Sequence, residues 1–172
     1  MKLLKYIVVL FFVSCTGAKP VYDYNVKTDF SQYTTYHYFD DVGEGLNPLD
    51  VKRFKRSIDK YLDSIGIKKA EQPHFFINVI SEKTEILQDD NFGIGIGGGN
   101  RNVGVGVSTG IPLGGKKFNE RITIDFVDAS DNKLFWQAFI DVRVKERYKP
   151  LERVALVEKI IQRILRGYPP KN

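Results

Sequence analysis

The sequence predicts an α+β fold: a two-layer domain, mainly antiparallel β-sheet, with two amphipathic helices packed on one face and a glycine-rich β-hairpin insert. Three patterns predict it. Two segments repeat apolar residues at helical steps, five alternate or run apolar as strands do, and one stretch interleaves glycine with isoleucine and valine.

The elements follow in order. Val21 to Val26 alternates Tyr22, Tyr24 and Val26 with Asp23 and Asn25, the pattern of a half-buried strand. Tyr33 to Phe39 is similar, with Tyr36 and Tyr38 on one face and His37 and Phe39 on the other. Asp40 to Asn47, with two glycines, reads as loop. Asn47 is placed to cap a helix that Pro48 opens, and Val51, Phe54, Ile58, Tyr61, Leu62 and Ile65 form its apolar stripe. Gly66 supplies a left-handed stop. The charged opposite face, Lys52, Arg53, Lys55, Arg56, Asp59, Lys60 and Asp63, reads as solvated.

His74 to Leu87 is expected as a long, largely buried strand. Glu120 to Val127 and Leu134 to Val144 align Ile122, Ile124 and Phe126, and Trp136, Ala138, Ile140, Val142 and Val144, on one face each. The turn Asp128 to Lys133 makes them an antiparallel hairpin. Pro150 opens a second helix with the stripe Leu151, Val154, Val157, Ile160, Ile161, Ile164 and Leu165, which Gly167 ends and Pro169-Pro170 forbid from continuing.

Phe92 to Gly115 alternates with period two, and its halves can pair around Gly99-Asn100-Arg101-Asn102. One face of that ribbon carries isoleucine and valine, the other bare backbone, so it is the candidate binding element, with Ile94, Ile96, Asn100, Arg101, Val103, Val105 and Val107 as candidate contacts. A flexible surface hairpin without a ligand is the plainer alternative. Gly110 to Lys116 matches the first part of a phosphate-loop pattern, but Lys117 stands where the magnesium-binding hydroxyl belongs, and a strand follows in place of a helix. The Gly93 to Gly99 run lacks the dinucleotide fingerprint's third glycine and its helix.

The N-terminus gives an address. Lys2 and Lys5 precede an apolar run from Tyr6 to Val13, and Ser14 leads into Cys15, the one cysteine of the chain. This is the pattern of a lipoprotein signal at 1–14, with Cys15 as the lipid attachment residue and 15–20 as a tether. The run ends well short of the roughly 20 apolar residues that cross a bilayer. Two or three acyl chains on Cys15, each buried CH₂ contributing about 0.8 kcal/mol, would hold the protein on a membrane. No thiol then remains for a disulfide or a thiolate metal site. Removing 14 of 172 residues leaves 158, the size of one domain, expected over 21–170.

The precursor carries 26 Lys+Arg against 21 Asp+Glu, and loss of Lys2 and Lys5 leaves +3. The basic residues are scattered among acidic ones without an aromatic-interleaved stripe, which argues against a nucleic-acid partner. His37 and His74 lack carboxylates at metal-ligand spacing, and the serines sit in no nucleophile elbow, so no catalytic residue, metal or cofactor is expected.

Val21-Tyr22-Asp23-Tyr24, the run Asp29 to Tyr36, the middle helix ending at Gly66, Leu134-Phe135-Trp136-Gln137 and the closing Gly167-Tyr168-Pro169-Pro170 together resemble the bacterial envelope lipoproteins of the domain of unknown function 4136 family. His74 after Pro73 stands where that family usually has an aspartate. The resemblance implies an outer-membrane lipoprotein and leaves its biochemistry open. Thr16 to Pro20 lacks the acidic cluster that surface-exported lipoproteins carry, so a periplasm-facing anchor is expected. The leading functional expectation is a non-enzymatic lipoprotein that binds an envelope protein or an amphiphile. Two alternatives stay open: an envelope hydrolase using Asp23, Asp125 and Asp141 on the sheet's open face, and a structural protein that pairs through its edge strands.

Overall fold

A computed structural model describes residues 18–86 and 117–171. It is an α+β chain with one mixed six-stranded sheet and two helices. The strands are β1 (Val21–Tyr24), β2 (Thr35–Tyr38), β3 (Lys68–Lys69), β4 (Phe75–Glu85), β5 (Lys117–Asp128) and β6 (Leu134–Lys145); the helices are α1 (Pro48–Ser64) and α2 (Pro150–Leu165). The sheet order is β1-β6-β5-β4-β2-β3. The pairs β1–β6, β6–β5 and β5–β4 are antiparallel, whereas β2 runs parallel to both β4 and β3. The parallel part follows from chain order, because a strand, a helix and a returning strand beside the first require a crossover.

The sheet buries one face. Ile122, Ile124 and Phe126 on β5 meet Ser81, Val79 and Ile77 on β4, and Ile140, Ala138 and Trp136 on β6. These eight apolar residues join Phe54, Ile58 and Leu62 of α1 and Val157, Ile160, Ile161 and Ile164 of α2 in a single buried cluster. Polar tips bond strands of the sheet to both helices. The Tyr36 and Tyr38 hydroxyls each donate to Asp59 of α1 at 2.7 Å, and the Tyr22 hydroxyl donates to the Arg163 carbonyl of α2 at 3.0 Å. A shift of register between Phe126 and Val127 makes Phe135 an extra residue in β6, so both Phe135 and Trp136 are buried. Phe135 stacks on Tyr33, centroids 3.9 Å apart.

Local rules explain the ends. Asn47 accepts the Asp50 N–H at 2.9 Å and Pro48 opens α1, as its spacing predicts. Gly66 has a φ of 85° and carries the left-handed turn after α1. Gly45, with a φ of 74°, lets Glu44 bridge to Ile80 in β4; a Cβ there would lie 1.9 Å from the Ser81 carbonyl oxygen.

Two expectations are corrected. β1 is exposed along its whole length and not half-buried, because it is an edge strand bonded to β6 alone. Leu151 is 83% exposed and Val154 also faces outward; the buried phase of the first turn of α2 belongs to Arg153. Gly167 follows the last turn of α2, and its lack of a side chain makes room for Tyr22, whose ring would lie 2.4 Å from a Cβ. Ahead of β2, Phe30–Gln32 forms a 3-10 turn capped by Asp29. The signal segment 1–14, Cys15 and the glycine-rich stretch 92–115 lie outside the described residues.

Candidate functional site

A buried charge cluster lies where the first turns of both helices meet the sheet. Arg153 of α2 donates through Nη1 and Nη2 to the two Glu120 oxygens, both at 3.0 Å, and through Nε to Asp50 of α1 at 3.2 Å. Glu120 and Asp50 are almost wholly excluded from solvent. Ser81 donates to Glu120 at 3.0 Å, Arg53 to Asp50 at 2.7 Å, and the Lys83 ammonium stands 3.5 Å from Glu120. Burial pushes both carboxyls up, yet Arg153, helped by Arg53 at Asp50 and by Lys83 and Ser81 at Glu120, outweighs it and holds both below the usual carboxylate range. Burial likewise opposes the Arg153 charge, and its two carboxylate partners raise it. The fork geometry satisfies every charge, so the cluster locks α1, α2, β4 and β5 to one another.

Above the cluster opens a cleft of about 390 Å³ whose outer wall is the segment from Val144 to Pro150. Lys145, Glu146 and Arg147 line it with Lys83 and Arg53. The Lys145 ammonium and the Arg153 guanidinium each sit 5.8 Å from the Tyr148 ring centre. The cleft is at the sheet end where the segment joining β4 to β5 departs, since Ile86 N–H donates to the Lys117 carbonyl at 2.9 Å.

The sequence-derived sites fare differently. Cys15 and the ribbon residues Ile94, Ile96, Asn100, Arg101, Val103, Val105 and Val107 lie outside the described residues. Asp23, Asp125 and Asp141 share the sheet's second face but form no pair. Asp23 and Asp125 flank Gln137 in one row, about 10 Å or two strand spacings apart. Gln137 donates to Asp125 at 2.7 Å, and burial raises the Asp125 carboxyl against that bond. Asp141 lies four residues further along β6, about 13 Å away, in a two-bond pair with Arg121 at 2.9 and 3.0 Å. Among the described residues no group of three His, Cys, Asp or Glu is placed to hold a metal ion, and no helix is long and apolar enough to cross a membrane. On the same second face, Val21, Phe139, Thr123 and Ile80 form a row, with Val127 and Phe76 in another. Apart from exposed Val21 these are half-buried, and Arg121 lies over the Phe139 ring at 4.6 Å.

The charge cluster escaped sequence reasoning. Its trace was there, because Glu120 shares the buried phase of Ile122 and Ile124, and Arg153 precedes Val157 by one helical turn.

The sequence profile of the family described as "Domain of unknown function (DUF4136)" matches residues 20–170. The chain belongs to the DUF4136 family. The profile spans every strand and helix of this DUF4136 chain. No curated protein matches the sequence. A PDZ domain protein from Parabacteroides distasonis shares the fold with a TM-score of 0.56 and 12% identity, over 98% of this chain and 40% of that one. The DUF4136 chain thus spans two fifths of that protein's length. A PelC dodecamer from Paraburkholderia phytofirmans shares it with a TM-score of 0.54 and 9% identity, over 91% of this chain and all of that one.

Proposed function

We propose that this DUF4136 chain is a lipid-anchored envelope protein that binds and does not catalyse, held on the periplasmic side of an outer membrane through Cys15. The carrying observation is the sheet's second face. Among the described residues no helix covers it, yet it presents Val21, Ile80, Val127, Phe139 and Phe76 in rows, an arrangement that offers apolar contact to a partner protein or an amphiphile. The polar groups of the buried cluster are paired with one another, and the three open-face aspartates lie too far apart to act together, which supports binding over hydrolysis. The ribbon residues Ile96 and Val105 stay candidate contacts on the sequence argument above.

Two measurements test this. Cells fed an alkyne-bearing palmitate should label the wild-type chain and not Cys15→Ala; label absent from both refutes the anchor. Photoreactive residues at Phe139, Ile96 and Val105 in intact envelopes should capture a defined adduct absent from a Lys60 control. Capture equal to that control at all three refutes binding by face and ribbon.

A second reading is self-assembly. β1 is an exposed edge strand bonded on one side, and a protein of like fold is a dodecamer. Sedimentation of the purified chain separates a ring or chain of copies from a monomer.

A further inference from the structure

We propose that the cleft bordered by Lys83, Lys145 and Arg147 binds a phosphate group. Five cationic side chains line it against three acidic ones. Two of those acids, Asp50 and Glu120, are consumed beneath the floor by Arg153, which leaves Glu146 as the one carboxylate on the outer wall. Lys145 and Arg147 are exposed and make no ion pair with the described residues, and Lys83 stands at 3.5 Å from a carboxylate that already accepts from Arg153 and Ser81. The opening therefore carries uncompensated positive charge over a low-dielectric floor, where an anion is attracted more strongly than at open surface. α2 adds to it, since Lys149 provides no side-chain cap and Pro150 opens the helix at the rim. At 390 Å³ the space exceeds one phosphate, so the ligand carries the phosphate on a larger body.

The site is argued from the domain and does not depend on Cys15 being lipidated. Were it lipidated, a headgroup is within reach. Val21 pairs with Phe139, six residues along β6 from Lys145, and Cys15 lies six residues before Val21, a span of up to about 21 Å. Two sources of the same chemistry follow, a soluble phosphate compound or an anionic phospholipid.

The test titrates the full chain, in non-ionic detergent and Tris buffer, with inorganic phosphate and separately with dihexanoyl-phosphatidylglycerol, reading heat and amide NMR shifts. Binding of either, weakened about tenfold in Lys145→Gln/Arg147→Gln and unchanged in Lys60→Gln/Lys159→Gln, is the expected result. Binding of inorganic phosphate assigns a soluble ligand; binding of the phospholipid alone assigns a headgroup. No binding of either at millimolar concentration overturns the proposal, as does equal loss in the two double variants. Unchanged Trp136 emission shows that both fold.

Discussion

Replacing Arg153 by methionine should be among the most damaging single changes in the described domain. Methionine keeps an unbranched stem of similar reach, but the substitution leaves Asp50 and Glu120, both buried, without the cation that bonds both. Orphaning a buried ion partner costs about 3–5 kcal/mol. With a urea slope of about 2 kcal/mol per molar for a chain of this size, the midpoint should fall by about 2 M. Trp136, the one tryptophan and wholly buried, reports the transition. The pH dependence supplies a sharper signature. In the wild type both carboxyls titrate below their unfolded values, so their stabilisation is complete at neutral pH and fades as pH falls through the folded values. In the variant, burial acts without Arg153 and raises them, so folding gains from protonation as pH falls. The deficit relative to wild type should therefore be largest near neutrality and shrink toward pH 4. Adding Glu120→Leu should return part of the loss, with a coupling of about 1–3 kcal/mol. A midpoint shift under about 0.5 M, or a deficit constant from pH 7 to 4, would refute the account of a buried, charge-balanced lock.

Gly167→Ala should cost about 1–3 kcal/mol in the same unfolding assay, since the new methyl meets the Tyr22 ring; if Tyr22→Ala does not relieve that cost, the clash is not its cause. Carboxyl NMR should find Asp128 titrating at about 2, because the Ser130 and Tyr33 hydroxyls hold its charged form, and Asp125 above the ordinary aspartate value, because burial disfavours its charge. The signs oppose: the Asp128 contribution is present above its unfolded value and lost as pH falls toward 2, while the Asp125 penalty is relieved as pH falls. Coincident titrations would contradict the geometry of both.

The long strands and both helices were legible because each is long enough for its period to repeat: the buried positions of β5 alternate from Glu120 to Phe126 and α1 runs from an asparagine cap to a left-handed glycine. Two-residue β3 shows no period at all, and it is set by Ile67 and Lys68 following the turn back onto β2. The parallel run of β2 beside β4 was implied by the succession strand, helix, strand, yet periodicity says nothing about direction. In α2 the outward Leu151 and Val154 and the inward Arg153 invert the hydrophobic rule, because a guanidinium with two carboxylate partners is buried at less cost than a bare charge. That is why the site most visible in the fold left the faintest trace in the sequence. The expected hydrolytic carboxylates show the converse: alternation put Asp23, Asp125 and Asp141 on one face, but register along the strands decides whether they meet.

The position of β1 has a mechanical consequence. Four residues pair with β6 at the sheet's edge, and Tyr22 bridges from that strand to the closing turn of α2. A pull exerted from residue 15 along the strand axis would stress the β1–β6 rungs together, in shear, and not open them one by one. The same pull would draw on the Arg163 carbonyl through the Tyr22 hydroxyl, so the two ends of the domain yield jointly. Removing that hydroxyl alone, with Tyr22→Phe, would leave the sheet edge to resist by itself.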